Sequence, residues 1–224
     1  MHDMPTWAYG LWPAVLFNIG LVLVFVLSFL TPRRRVEWRS MGLFAAWIAA
    51  LFTEMYGFPL TIYILSALLG RAYPAVDPFS HKNGHLLVAL TGGSPAAYAV
   101  VMTVTPIVFW ISISIMARGW RRIHQAKGGL VTDGIYAHVR HPQYLGLFIL
   151  IVSLLLQWPT ILSALMAPVL FVVYVRLARR EEGELETLFG AAYRDYKARV
   201  PAFFSRFGVE SRSKGKSARD VAAL

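Results

Sequence analysis

The chain alternates long apolar runs with short polar breaks, and the breaks are mostly basic. Leu11 to Leu30 carries no charge, and Thr31-Pro32 followed by Arg33, Arg34 and Arg35 ends it sharply. About 20 apolar residues in a helix span a hydrocarbon core of about 30 Å, so this run is a first crossing. Nothing basic precedes it and no small-residue cleavage site follows, so it is expected to stay in the mature protein rather than leave as a signal peptide. Met41 to Leu69 is longer than one crossing needs and contains Glu54, Gly57 and Pro59, which predicts a kinked or tilted helix. Ala96 to Met116 forms the third run. Gly92-Gly93-Ser94-Pro95 opens it as a turn with proline near a helix start, and Arg118, Arg121 and Arg122 close it. Tyr144 to Val175 is too long for one span and holds Gln157-Trp158-Pro159-Thr160 in its middle, which predicts a tight helical hairpin of two short spans.

The pattern therefore predicts an all-α integral membrane protein with five transmembrane helices, including the carboxyl-terminal hairpin. After the last span, Leu185, Leu188, Phe189, Ala192, Tyr193 and Tyr196 recur at helical spacing. They predict an amphipathic cytoplasmic helix over Glu181 to Val200, lying on the membrane or on the domain. Ser211 to Arg219 is polar and basic without pattern and is expected to be disordered. The chain divides on this reading into amino-terminal membrane helices and an outer loop (1–95), a core (96–207) and a basic tail (208–224).

Charge changes the picture by fixing direction. There are 22 Lys and Arg against 12 Asp and Glu, a net charge of +10. All the basic residues except Arg71 and Lys82 fall on one side of the predicted spans. Cytoplasmic loops carry the Lys and Arg excess, so the amino terminus is expected outside, the carboxyl terminus in the cytoplasm and the cell membrane as the location. The basic residues lie between apolar blocks rather than on a polar face, which argues against nucleic acid and for anionic lipid headgroups. With 57% hydrophobic and 15% charged residues the composition is that of a membrane protein. The absence of cysteine removes disulfides, thiolate metal sites and cysteine nucleophiles.

Candidate chemistry gathers between Gln125 and Gln143. Gly128-Gly129 and Asp133-Gly134 give turns that a ligand can approach closely, Tyr136 and Tyr144 offer flat rings, and Arg140 and His141 offer donors. Pro142 biases His141 toward extended backbone and starts a helix, whose first amides could take a carboxylate. A basic loop that merely anchors the helix explains the same composition equally well. Glu181 and Glu182 flank the amphipathic stripe and either form salt bridges at a helix start or hold an ammonium group of a ligand. Glu54, an acid in an apolar run, should face a cavity or a partner; it is a candidate on the substrate side. His81 and His85 have a spacing that can hold a metal on a helix, but Gly84 intervenes and no third ligand is evident, so they are read as an ordinary loop and no metal is expected.

Gly129 to Tyr136 (GLVTDGIY), Arg140 to Gly146 (RHPQYLG), Glu181-Glu182, Phe189-Gly190, and then Tyr193, Tyr196, Arg199, Val200 and Pro201 together resemble the carboxyl-terminal half of the isoprenylcysteine carboxyl methyltransferase family. Related phospholipid N-methyltransferases share much of the pattern. The resemblance covers about residues 118 to 205 and implies an integral membrane enzyme that uses S-adenosylmethionine and a lipophilic or small acceptor reached through the bilayer. It implies further that Leu130, Val131, Tyr136, Arg140, His141, Pro142, Tyr144, Glu181 and Glu182 form the cofactor pocket, with Glu181 on the cofactor's amino group. Of the arginines before the glutamates, Arg176 is carried as the substrate-side candidate, although it is offset and Arg179 and Arg180 crowd it. Methyl transfer needs alignment and exclusion of water more than a general base. An acceptor carboxylate or thiolate is already nucleophilic, whereas an amine must shed a proton; no catalytic residue is assigned. Two other readings stay open: a sterol-reductase-like NADPH-dependent membrane reductase, and a non-enzymatic transporter or scaffold.

Overall fold

The computed structural model describes residues 10–27, 35–69, 85–126 and 128–203. Among these residues every regular element is helical: α1 (Trp12–Leu27), α2 (Arg35–Phe52), a π-helical turn (Thr53–Gly57), α3 (Leu60–Leu69), α4 (Leu86–Leu90), α5 (Pro95–Gln125), a 3-10 turn (Gly134–Ala137), α6 (Pro142–Gln157), α7 (Ile161–Phe189) and α8 (Ala191–Arg199). The basic boundary at Arg33 and Arg34, the outer loop with Arg71, His81 and Lys82, and the tail from Ser211 to Arg219 lie outside the described residues.

Two helices, α5 and α7, are long and apolar enough to cross a membrane, and the bent pair of α2 with α3 makes a third if it counts as one span. The expected kink is present: the helix pair is bent by 71°. Proline at 59 has no N–H to give, and the π turn before it takes up the break, with the Phe58 amide donating to the Thr53 carbonyl (2.8 Å). Trp12 of α1 packs into the notch at Gly57, where a Cβ would stand 2.8 Å from the indole. The remaining two apolar helices, α1 and α6, have 16 residues each.

The hairpin is also present, turning at Trp158–Thr160, where Thr160 caps α7 by accepting from the Ser163 amide (3.1 Å). Its arms are unequal, which corrects the prediction of two short spans followed by a separate amphipathic helix. α7 continues through Arg176, Arg179 and Arg180 to Phe189, because leucine, arginine and glutamate are all good helix formers and nothing in that stretch breaks a helix. The break falls instead at Gly190 (φ 56°), where positive φ suits glycine. Leu188 of the predicted stripe is 71% exposed, so it is not packed on the domain.

The core lies between α2, α6 and α7, where Phe44, Trp47, Ile48, Leu51, Leu147, Leu150, Ile151, Leu170 and Tyr174 are all but inaccessible. Two hydrogen bonds set the level of α2 against α7: Tyr174 Oη donates to the Ser40 carbonyl (3.1 Å) and Trp47 Nε1 to the Ser163 carbonyl (2.8 Å). α5 lies tightly on α6 because Gly146 lets Met116 and the Ser112 carbonyl reach its backbone, and Gly119 does the same for Pro142. Ser153 Oγ donates across this contact to the Thr105 carbonyl (2.7 Å).

Candidate functional site

α6 begins as the sequence predicts, with His141 as the residue before the helix (φ −123°, ψ 63°) and Pro142 as its first residue. The amides just before the helix, those of Arg140 and His141, donate to the carbonyls of Pro201 (2.9 Å) and Ala202 (3.1 Å), so residues 200–203 form a strap across the start of α6. Phe203 packs its ring against His141 and Phe148.

Arg140 ties this corner together. Its Nε and Nη2 meet Glu182 Oε1 at 3.0 and 2.8 Å, while Nη1 donates to the carbonyls of Lys197 and Val200, both at 2.7 Å. Those two carbonyls belong to the end of α8, which has no intrahelical partners to offer them. The guanidinium thus fixes α8 to α7.

The adjacent glutamates divide into different roles. Glu182 is buried and its Oε1 also receives His141 Nε2 (3.0 Å), while Oε2 faces Lys197 Nζ (3.3 Å). Burial by itself raises its carboxyl pKa, but the His141 hydrogen bond, Arg140 and Lys197 outweigh that and bring it down to about 2. An ionised carboxylate only accepts hydrogen bonds, so His141 Nε2 carries the proton. The other ring nitrogen, Nδ1, lies 3.9 Å from Glu181 Oε2. Glu181 keeps 38% of its side chain exposed and accepts the Tyr144 hydroxyl on Oε1.

Tyrosines close the remaining sides. Tyr136 is buried on the 3-10 turn, and its carbonyl accepts the Tyr196 hydroxyl (2.7 Å). Burial first, then Tyr196 and Glu181, push the Tyr136 phenol pKa up. Burial and the nearby Glu182 push Tyr196 up to about 12 against the pull of Arg140. Tyr193 is 1% exposed, and its hydroxyl has no hydrogen-bond partner among the described residues. The loop before Tyr136 is tied back by the Arg122–Asp133 ion pair (3.0 Å), in which both side chains are largely exposed. Gly134 is needed there for its positive φ (59°), a conformation that residues with a Cβ rarely adopt.

Of the predicted set, the structure brings together Tyr136, Arg140, His141, Pro142, Tyr144, Glu181 and Glu182. Leu130 and Val131 are half-buried on the irregular stretch leading to the 3-10 turn. Arg176 is exposed on α7. Glu54 is not part of the cluster: it lies about 21 Å of helix beyond Ser40, whereas Ser40 is level with Tyr174 beneath the glutamates. Its Oε2 accepts the Thr61 amide (2.8 Å), and Thr61 Oγ1 in turn accepts the Ile161 amide (2.9 Å), so Glu54 joins the bend to the hairpin turn. His85 packs on Trp158 with Nδ1 2.8 Å from the Gln157 carbonyl. Sequence reasoning missed Lys197 and the strap. The Tyr193–Pro201 motif was their only signal.

A pH experiment tests the state of Glu182. Its folded value of about 2 lies below the ordinary 4.5, so the carboxylate's contribution is complete above about pH 4.5 and is lost as pH falls toward 2. Thermal stability is expected to decline over that window, and Glu182→Gln is expected to flatten the decline.

Residues 94–192 match the family model for phospholipid methyltransferase, a stretch that runs from the cap of α5 to the start of α8. A 74-residue stretch is 39% identical to the protein-S-isoprenylcysteine O-methyltransferase of Schizosaccharomyces pombe (strain 972 / ATCC 24843), covering 33% of this chain and 31% of that relative. The chain is thus matched over about a third of the relative's length. No solved structure matches significantly.

Proposed function

We propose that this chain, whose residues 94–192 match the phospholipid methyltransferase family model, is an integral membrane methyltransferase. Its donor would be S-adenosylmethionine and its acceptor a lipophilic or small carboxylate, thiol or amine. The observation that carries this reading is the unequal glutamate pair: Glu182 is locked by Arg140, His141 and Lys197, while Glu181 beside it is half-exposed and faces the rings of His141 and Tyr144.

The residues present fit the donor. Glu181 supplies the acceptor for its amino group, Tyr136 and Tyr144 supply flat aromatic surface, and Leu130, Val131 and Pro142 supply apolar wall. When bound, the sulfonium offers an electrophilic methyl group. The chain's own task is to align donor and acceptor and keep water out. Arg140 and Glu182 act as positioning residues by holding α8 and the His141 ring, and Phe203 of the strap covers His141. Arg176, exposed near the end of the apolar part of α7, is the candidate contact for an acidic acceptor. With α1 and α6 counted as short spans, about 24 Å each at helical rise, the chain crosses the cell membrane five times with its carboxyl terminus in the cytoplasm. Residues 1–95 then form the acceptor side.

Calorimetric titration of S-adenosylmethionine and S-adenosylhomocysteine into the detergent-purified protein tests this. Saturable binding is expected, weakened at least about tenfold in Glu181→Gln, the scale of a lost hydrogen bond to a charged group. Well-folded protein that binds neither compound, in detergent or in nanodiscs with a candidate acceptor, overturns the reading, as does unchanged affinity in the variant.

A further inference from the structure

α5 is a candidate span of which only 22% of the apolar window is buried, so most of its surface faces outward. On that outward face Pro106, Ile107, Trp110, Ile111, Ser114 and Arg118 line a shallow groove of about 500 Å³. The walls are apolar: Trp110 is 60% exposed, Ile107 54% and Ile111 50%, and the Ser114 hydroxyl is turned back to the Trp110 carbonyl (2.8 Å). At one end stands Arg118, exposed and without an ion pair among the described residues, at the point where the apolar run gives way to Arg121 and Arg122.

We propose that this groove is a binding site for one anionic phospholipid of the leaflet on the Arg118 side, with its phosphate on Arg118 and an acyl chain along Ile107, Trp110 and Ile111. The inference rests on α5 spanning the membrane and not on the methyl-transfer reading. From Arg118 to Pro106 the helix runs about 18 Å, and one leaflet contributes about 15 Å of hydrocarbon. The groove therefore begins at headgroup level and ends near the midplane. Trp110 lies about 12 Å below Arg118, too deep for an interfacial anchor and at the level an acyl chain would occupy. Arg118, the cation that lines the groove, sets the sign of the headgroup. A second copy of the chain in the same orientation would bring Arg118 against itself, which like charge disfavours.

The test is retention of phosphatidylglycerol against phosphatidylcholine of identical chains by the full-length protein, read by native mass spectrometry from mixed nanodiscs. The wild type is expected to prefer phosphatidylglycerol by about fivefold, what one basic residue contributes at an anionic surface. Arg118→Gln should remove the preference, and Arg194→Gln, with the same loss of charge on exposed α8, should keep it. Trp110→Ala should lower retention of both lipids. Equal retention by the wild type overturns the site, as does a preference that survives Arg118→Gln or falls equally in Arg194→Gln. The chain has no cysteine, so Ser114→Cys reports on self-association: efficient disulfide dimers in the bilayer would place a second copy in the groove and overturn the lipid assignment.

Discussion

Arg140→Ala is expected to destabilise the protein by about 3–5 kcal/mol, the range for removing one partner of a buried ion pair. Three losses coincide. Glu182 keeps its charge in a buried position with only His141 and the half-exposed Lys197 to offset it, and the carbonyls of Lys197 and Val200 lose the donor that held the end of α8. Arg140→Lys should recover only part of this, because a single ammonium cannot reach Glu182 and both carbonyls in the fork geometry of a guanidinium. Arg140→Met with Glu182→Leu should regain stability over Arg140→Ala, since the stranded charge is gone, yet donor binding should stay lost because His141 and α8 are no longer held. Thermal denaturation beside the calorimetric titration separates these outcomes. A loss below about 1 kcal/mol in Arg140→Ala, the level of an exposed pair, would mean that the guanidinium does not hold this corner.

The second large effect is expected at Gly146. A Cβ there would stand 2.5 Å from Met116 Cγ and 2.8 Å from the Ser112 carbonyl oxygen. Met116 can shift its flexible end, but the Ser112 oxygen is helix backbone, so the two helices must part. Gly146→Ala is expected to cost at least the ~1–3 kcal/mol typical of overpacking and to weaken donor binding from a distance, because α5 carries Arg122 and with it the Asp133 tether of the loop. Gly183→Ala is the matched control: nothing lies within 4 Å of its Cβ position, and alanine in a helix interior is worth about 1 kcal/mol over glycine. Equal losses at both positions would remove close packing as the explanation.

Much of the membrane part was legible because apolar runs, proline and glycine leave signs in the sequence itself. The bend was announced by Gly57 and Pro59, the hairpin by Gln157–Thr160 and the start of α6 by Pro142. The end of α7 was misread because charged residues at 176, 179 and 180 resemble the end of a span, although charge does not stop a helix and only Gly190 does. The corner around Arg140 and the glutamates was legible as a set of residues and not as a set of pairings. The partners of Arg140 could not be read from the sequence because they include backbone carbonyls 57 and 60 residues away, and a carbonyl has no residue signature. Glu181 and Glu182 are indistinguishable as letters. What separates them is the rotation of about 100° between successive helical residues, and which of the two is buried depends on where the strap and α8 come to rest.

The strap also orders events during biosynthesis. Arg140 N–H is matched to the carbonyl of Pro201 and its guanidinium to Val200, and a ribosome adding about 5–20 residues per second needs about 3–12 s to pass from one to the other. In that interval the hairpin of α6 and α7 can be delivered to the bilayer, while the polar corner at its base is served only by water and headgroups. The hairpin is therefore made before the corner at its base can close, and a nascent chain interrupted ahead of Val200 would lack the carbonyls of Val200 and Pro201 that receive Arg140.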